Sequence, residues 1–435
     1  MIAPEFLLVG VFLVLLLAGV PVAVVLGLSG AAGILVGLGP TSLEMIGTNV
    51  YNGIAKYPLI AIPLFILTGL AFERSGVAER LVRFASALVG PRRGGLAVVA
   101  VLVSLIMGGM SGSGPADAAA VATVMIPAMA RAGYPRAFSA GLIAASSSTA
   151  IIIPPSIALI IYTVMVPGTD LRALFAAGII PGILCGLAII LPAVWLSYRH
   201  QFGSAEAAEE RPPLGRSFMD ALPGLLAPVI ILGGLRIGLF TPTEAAAVAA
   251  VYGLGVGTLL YRTLGWREIY RILADGAEIT AVVMIIISFA GLFAWAGSTL
   301  GVFNAAAQGL LSISDEAWVV LGLIMIFLLL AGMVLDGVSI YLITLPLLMP
   351  IVNAFEWNTV WFGILMAMNI AIGQFTPPIA VNLMVTTRIA GVGMEDTMKW
   401  VAWMLLSMTG ILLLVAIFPD IALWLPEVLD FRTGR

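Results

Sequence analysis

Charge is scarce in this sequence. Only 10% of its 435 residues are Asp, Glu, Lys or Arg, while 61% are hydrophobic. Mean hydropathy is +1.13. Soluble domains carry roughly 25% charged residues, so a soluble fold has too little polar surface here, and the solvent must be a lipid bilayer. Cysteine and histidine are scarcer still, with one of each, Cys185 and His200. A lone cysteine excludes an internal disulfide, and the pair excludes a Cys/His metal cluster. Cys185 reads as a small helix residue and His200 as part of a basic loop. There is no His-Glu-x-x-His and no P-loop, which argues against a zinc hydrolase and against direct ATP drive. An intramembrane enzyme needs a nucleophile with a base, or a metal cluster. Neither is legible, so the chain is not read as an enzyme. Net charge is −3 with no long basic tail, and nothing points to nucleic acid. The start, Met1-Ile-Ala-Pro-Glu-Phe6, lacks the basic residues of a signal peptide, so the first apolar segment is expected to be retained.

What is abundant is long apolar sequence broken by 48 glycines and 25 prolines. Period-two alternation is missing from runs such as 6–38 and 401–418, which excludes an outer-membrane barrel and leaves helices. Spans are predicted at about 5–20, 21–39, 58–73, 137–166, 175–198, 219–238, 243–261, 275–300, 358–387 and 400–418. Segments 42–55, 77–90 and 302–312 are short or amphipathic. The one clearly polar stretch, with Glu206, Glu209, Glu210, Arg211 and Pro212-Pro213, reads as a linker (199–217) between two halves, 1–198 and 218–435.

The halves resemble each other. Ser113 precedes Pro127 by 14 residues, and Pro127 precedes Pro154-Pro155 by 27; Asp336 precedes Pro350 by 14, and Pro350 precedes Pro377-Pro378 by 27. Pro21 and Pro242 keep nearly the same offset. Segments 94–107 and 118–130 are too short to cross a bilayer, which takes about 20 residues. With the polar tip Met110-Ser-Gly-Ser-Gly-Pro-Ala-Asp117 between them they predict a re-entrant hairpin at about 94–131. Its ends carry Arg92, Arg93, Arg131 and Arg136, which the positive-inside rule places in the cytoplasm. A second hairpin, about 317–354 with its tip near Asp336, is flanked by Asp315, Glu316 and Glu356 and belongs on the opposite side. Segment 317–335 is long enough to span outright, so this second hairpin rests on the repeat. Arginines at 74, 80 and 83, at 199, 211 and 216, and at 262, 267 and 271 agree with that orientation if both termini are periplasmic. The fold class read from these features is an all-α polytopic membrane protein with an inverted repeat, two hairpins and two broken helices (about 137–166 and 358–387), a plan common among secondary transporters.

Irregular backbone survives at membrane depth only inside protein or around a cavity. Four such places exist: the tips Ser111-Gly-Ser-Gly114 and Leu335-Asp-Gly-Val-Ser339, and the breaks Ser146–Ser156 and Gly373–Pro378. Proline removes a backbone donor and clashes with the carbonyl four residues back, so carbonyls near Ala150, Ile151 and Gly373 are expected to lose helical partners. Freed carbonyls with Ser, Thr and Asp oxygens suit a hard cation such as sodium; helix N-termini suit a carboxylate. Bound side by side, cation and anion offset each other's charge, which is the logic of symport. Simpler roles exist for the same residues: close helix packing for Ser-Gly-Ser-Gly, kinks for the Pro-Pro pairs, N-caps for Asp117 and Asp336. An acid at membrane depth is nonetheless a functional candidate. Glu244, behind Pro242, reads as a helix-start residue.

Gly109-Met-Ser-Gly-Ser-Gly-Pro-Ala-Asp117, Ile126-Pro-Ala-Met129, Ile153-Pro-Pro-Ser156, Thr241-Pro-Thr-Glu-Ala-Ala-Ala247 and Thr376-Pro-Pro378, with Gly69–Arg80 and Gly94-Gly95, resemble the large membrane subunit of tripartite ATP-independent periplasmic (TRAP) transporters over essentially the whole chain. The resemblance implies an elevator mechanism in the inner membrane, sodium as coupling ion with no other cofactor, a separate small four-helix membrane subunit, a periplasmic substrate-binding protein, and a small organic anion such as a dicarboxylate as substrate. It implies one sodium site at Ser111, Ser113 and the backbone of Ala150 to Pro154, including Ile153, and another at Asp336, Ser339, Gly373 and Thr376. The substrate would meet Ser111, Gly112, Ser113, Ser156 and Thr376. The first tip departs from many relatives at Gly114-Pro115, where they carry a further serine. A stand-alone sodium- or proton-coupled carrier of the same superfamily is the alternative reading; a channel fits broken helices and closed hairpins poorly.

Overall fold

The computed structural model describes residues 4–203 and 212–433. Among these residues the regular structure is entirely helical. Two apolar helices, α1 (Pro4–Leu17) and α2 (Val22–Leu38), pack on each other, and a short amphipathic helix, α3 (Glu44–Ile54), follows. Then come α4 (Ala61–Arg74), entered through a 3₁₀ turn at Tyr57–Ile60, and the amphipathic α5 (Val77–Val89). The first hairpin is α6 (Gly95–Ser111) and α7 (Gly114–Arg131). A broken helix follows, α8 (Arg136–Ser148) and α9 (Ile157–Met165), and then the long α10 (Leu171–Arg199).

The second half runs through α11 (Leu214–Arg236), α12 (Pro242–Gly255, continued by a π-helical turn to Leu260), α13 (Trp266–Thr299) and the short α14 (Val302–Leu311). Next are α15 (Ala317–Gly332) and α16 (Gly337–Ala354), a second broken pair α17 (Thr359–Gly373) and α18 (Val381–Ala390), and finally α19 (Met398–Ile417) and α20 (Asp420–Val428). Seven segments among the described residues are long and apolar enough to cross a bilayer, which makes this a multi-pass membrane protein. One of the seven is α16, which qualifies on length and composition alone; α15 before it has 16 residues and reaches about 24 Å against a hydrocarbon core of about 30 Å.

Several local signals act as their chemistry dictates. Thr241 and Glu244 form a reciprocal capping box at the start of α12, with Thr241 N–H donating to Glu244 Oε2 at 2.8 Å and Glu244 N–H donating to Thr241 Oγ1 at 3.3 Å. Glu244 is thus a helix-start residue. Asp170 and Asn358 cap α10 and α17 in the same spirit.

The structure also differs from the sequence reading. The arms of the first hairpin run to Ser111 and restart at Gly114, so the tip is two residues rather than the eight from Met110 to Asp117. Gly112 ends α6 in the left-handed region at φ +63° and its N–H reaches the Gly108 carbonyl at 3.1 Å; Pro115 sits in the first turn of α7, where its missing N–H costs nothing. Helix α13 has 34 residues rather than the apolar 26 read from hydropathy. Its charged first turns continue the helix to about 51 Å, past the membrane, and Asp275 there pairs with Arg74 of α4. Polar residues can lengthen a helix without registering in a hydropathy window. The linker is shorter than 199–217, because α10 includes Arg199 and α11 starts at Leu214; Glu206, Glu209, Glu210 and Arg211 lie outside the described residues.

Packing gathers both hairpins and both broken helices into one body. Helix α7 lies on α8 and α18, α15 on α17, α16 on α9, and α10 and α19 on each other. Helix α8 is buried from Phe138 to Ser148 and rich in small residues, Ser139, Ala140, Gly141, Ala144 and Ala145 among them. Small side chains let helix backbones approach closely where lipid offers no hydrophobic drive between helices. Buried Tyr162 of α9 and Tyr341 of α16 meet edge-on at 5.8 Å. Their hydroxyls donate to the carbonyls of Thr359 at 2.6 Å and Gly363 at 3.3 Å, both in α17. Each phenol thereby satisfies its one polar atom while filling apolar space.

Candidate functional site

The first hairpin is stitched to the first break by hydroxyl contacts from α6 and by backbone contact at the tip. Ser104 of α6 accepts from Ser146 Oγ at 2.9 Å and Ser147 Oγ at 3.3 Å. At Gly112 an added Cβ would stand 2.5 Å from the Pro155 carbonyl oxygen and 3.0 Å from Ser156 Cα. Positive φ and this close approach each require glycine there. Ser111 and Asp117 are 3% and 1% exposed. Ser111 Oγ donates to Asp117 Oδ1 at 2.7 Å and accepts from Ser113 N–H at 3.2 Å. Asp117 Oδ2 has no hydrogen-bond partner. A buried carboxylate oxygen left unsatisfied is costly, and a carboxylate beside the Ser111 hydroxyl is a hard oxygen donor of the kind a cation takes.

At the first break the chain leaves α8 through a 3₁₀ turn, Thr149–Ile151, and the Thr149 carbonyl accepts from both Ile152 and Ile153 N–H at 2.9 Å. Among the described residues no N–H from outside that turn reaches the carbonyls of Ala150 or Ile151. Ser156 caps α9, its Oγ accepting from Leu159 N–H at 3.5 Å. The Pro154–Pro155 and Pro377–Pro378 peptides of the two breaks are cis.

The second tip meets the second break still more closely. An added Cβ at Gly332 would lie 3.1 Å from Gly373 Cα, so backbone touches backbone. Met333 C=O accepts the N–H of Ala380, a non-glycine residue held at φ +51°, at 3.1 Å. Asp336 is the N-cap of α16: its Oδ2 accepts from Val338 N–H at 3.0 Å and Ser339 N–H at 3.2 Å, and Oδ1 accepts from Ser339 Oγ. The residue is exposed while Ser339 is buried. The Gly373 carbonyl, expected to be free, accepts from Thr376 N–H at 3.1 Å, because the chain closes a tight turn before the prolines. Thr376 Oγ1 donates back to Ile372 C=O at 2.6 Å. Among the described residues no hydrogen bond links Asp336 or Ser339 to Gly373 or Thr376.

The two halves meet between the tips. Gly114, the first residue of α7, faces the side chains of Gln374 and Asn382; an added Cβ would stand 2.6 Å from Gln374 Oε1 and 3.0 Å from Asn382 Nδ2. Gly337 faces Ile151 and Gln374 from the other side. Gln374 Oε1 and Asn382 Oδ1 are buried without partners. Helices α9 and α16 are capped by their own Ser156 and Asp336, whereas α7 and α18 carry no side-chain cap. Two N-termini without side-chain caps therefore meet beside two side-chain amides, and at α18 the Asn382 N–H already donates to the Gln374 carbonyl at 3.0 Å. Gln374 lay inside a recognised break and Asn382 just beyond it, yet neither stood among the site residues read from sequence. The only sequence signal was polar residues flanking Pro377-Pro378.

Paired hairpins facing broken helices inside an all-α membrane protein have a solved counterpart. The fold matches the crystal structure of the Alcanivorax borkumensis YdaH transporter, described as having an unusual topology, with a TM-score of 0.61 over 97% of this chain and 99% of that one. At 14% identity this establishes the fold alone. The family follows from sequence: residues 9–421 match the DctM component of tripartite ATP-independent periplasmic transporters, and the chain belongs to that family. Similar relatives include the C4-dicarboxylate TRAP transporter large permease protein DctM of Pseudomonas aeruginosa, 38% identical over 92% of this chain and 93% of that one. The sialic acid TRAP transporter large permease protein SiaM of Vibrio cholerae is 36% identical over 95% and 96%. The 2,3-diketo-L-gulonate TRAP transporter large permease protein YiaN of Escherichia coli is 36% identical over 93% and 94%.

Proposed function

We propose that this chain is the large permease subunit of a sodium-driven importer of small organic anions in the bacterial inner membrane. The observation that carries the reading is the meeting of the N-termini of α7 and α18, neither with a side-chain cap, at Gly114 and Asn382, with the unpartnered oxygens Gln374 Oε1 and Asn382 Oδ1 beside them. Helix N-termini attract a carboxylate, and a side-chain amide can both donate and accept. The tip residues Ser111, Gly112 and Ser113, with Ser156 and Thr376, complete the surface offered to the substrate.

Sodium occupies two places, one in each half. The first is formed by Ser111, Ser113 and the carbonyls of Ala150 and Ile153, and the unpartnered Asp117 Oδ2 supplies a nearby negative charge. The second is formed by Asp336, Ser339, the second lone pair of the Gly373 carbonyl, and Thr376. Cation binding fixes the tips against the breaks and readies the anion site between them, so neither ion crosses alone. The body holding hairpins and broken helices moves as an elevator against the frame of α1–α4 and α11–α13. A small four-helix membrane subunit and a periplasmic binding protein complete the system, as the tripartite family name supports. Three of the relatives are named for C4-dicarboxylates, sialic acid and 2,3-diketo-L-gulonate, and another for isethionate, a sulfonate, so all four names are of organic anions.

The test is uptake of radiolabelled organic acids into liposomes holding this chain and its small subunit, under an inward sodium gradient, with and without the binding protein. Uptake that needs both supports the reading. Uptake without the binding protein moves the chain to stand-alone carriers, and uptake indifferent to sodium removes the two cation sites.

A further inference from the structure

A cavity of about 1060 Å³ lies away from the tips and contains none of their residues. It opens where α8, α10 and α19 end on the arginine-rich side of the molecule. Arg136, Arg199 and Lys399 line it and all three are exposed. Arg136 donates to the Ala390 carbonyl at 3.2 Å, and among the described residues none of the three cations forms an ion pair.

Two acids also line the cavity, Glu395 and Asp396. They stay with their own turn: Asp396 Oδ2 accepts from Gly393 N–H at 3.2 Å, and the Glu395 carboxylate lies against Gly393. Both sit just before α19, where they oppose the positive end of its dipole. The three cations are therefore left facing the cavity. Among Lys, Arg, Asp and Glu the lining sets three cations against two acids.

The cavity's height in the membrane is set by tryptophans. Trp195 and Trp403 meet at 5.0 Å between ring centres, and Trp195 is 42% and Trp403 43% exposed. Each lies within about a turn of the charged end of its helix. Tryptophan marks the level where acyl chains give way to headgroups, and Arg and Lys reach out to that level. Arg199 stacks over Trp195 at 5.0 Å, and Lys399 over Trp400 at 4.7 Å. Their charges are thus held at the rim by aromatic faces rather than by carboxylates.

We propose that this cavity binds the phosphodiester headgroup of an anionic phospholipid from the adjoining leaflet. Arg199, Lys399 and Arg136 face the phosphate, and the exposed rings of Trp195 and Trp403 flank the first acyl carbons. A lipid held between α8, α10 and α19 sits on the body that carries both hairpins, so leaflet composition acts on that body directly. Each cation near an anionic membrane surface is worth roughly fivefold in affinity.

The test uses the full chain with its membrane partner subunit, extracted in detergent. Phosphatidylglycerol and phosphatidylcholine are offered in mixed micelles, and retained lipid is counted by native mass spectrometry. The wild type is expected to retain phosphatidylglycerol over phosphatidylcholine. The double variant Arg199→Gln/Lys399→Gln is expected to hold it roughly 25-fold more weakly. A control, Arg262→Gln/Arg267→Gln, alters cations that do not line the cavity and is expected to retain it as the wild type does. Both cavity side chains are exposed, so the core is spared; should the double variant not fold, Lys399→Gln alone carries the test with roughly a fivefold loss. Equal retention by the cavity variant, equal retention of phosphatidylcholine, or an equal loss in the control overturns the proposal. Displacement of the lipid by millimolar inorganic phosphate assigns the cavity to a soluble anion and overturns it as well.

Discussion

Ser111 gives its hydroxyl hydrogen to Asp117 at 2.7 Å inside the first hairpin tip, and the second carboxylate oxygen of Asp117 is left buried and unpartnered. The bond fixes which way the Ser111 lone pairs point. Replacing Ser111 with Ala strands the remaining oxygen of Asp117 and is expected to cost about 1–3 kcal/mol of stability. Asp117→Asn keeps an acceptor for Ser111 and removes the buried charge, so it is expected to melt no lower than Ser111→Ala. Thermal unfolding of both variants in detergent, without sodium, measures the order. The reverse order would mean that the charge is already neutralised within the tip.

The glycines of the first tip face different obstacles. At Gly112 the added methyl meets backbone at a positive φ, and at Gly114 it meets the ends of two flexible side chains. Gly112→Ala is predicted to lose about 1–3 kcal/mol from overpacking, with further strain from φ. Gly114→Ala is predicted to fold nearly as well as the wild type and to fail in uptake, since Gln374 and Asn382 must turn away. Melting temperature and uptake, measured on the same preparations, separate the two effects.

Asp336 caps α16, whatever else it does. Asp336→Ala should cost about 0.5–2 kcal/mol, which by itself would weaken transport. Asp336→Asn retains a capping oxygen and loses the charge. If the carboxylate serves sodium, the Asn variant folds normally and its uptake loses sodium stimulation; sodium stimulation intact in that variant would reduce Asp336 to a cap.

Gln374→Ala and Asn382→Ala should each raise the half-saturating concentration of the organic anion about tenfold, ~1.4 kcal/mol, with the sodium concentration for half-maximal uptake unchanged. Isotope uptake across a matrix of substrate and sodium concentrations reads both. A shift in the sodium dependence alone would move these residues from the anion to the cation.

The sequence by itself determined a good deal. Apolar runs too long for a soluble core and free of alternation made the chain a helical membrane protein, because each helix satisfies its own backbone and leaves its side chains to lipid. Proline and glycine at matching offsets around Ser113 and Asp336 marked tips and breaks, since those residues disrupt a helix wherever it lies. Thr241 and Glu244 announced a helix start three residues apart. All of these are local effects, decided within one or two helical turns.

Tertiary structure decided which irregular segments face each other. Nothing in the spacing of Gly114 and Gln374, 260 positions apart, says that they touch, or that Ala380 donates its N–H to Met333. The identity of Asp336 left its fate open, for a carboxylate at a helix start can cap or can coordinate, and the positions of Val338 and Ser339 N–H settle only the cap. Gln374 and Asn382 became candidates because packing buries their oxygens without partners beside two uncapped helix ends. Unsatisfied polarity is a property of surroundings, and surroundings come from the whole fold.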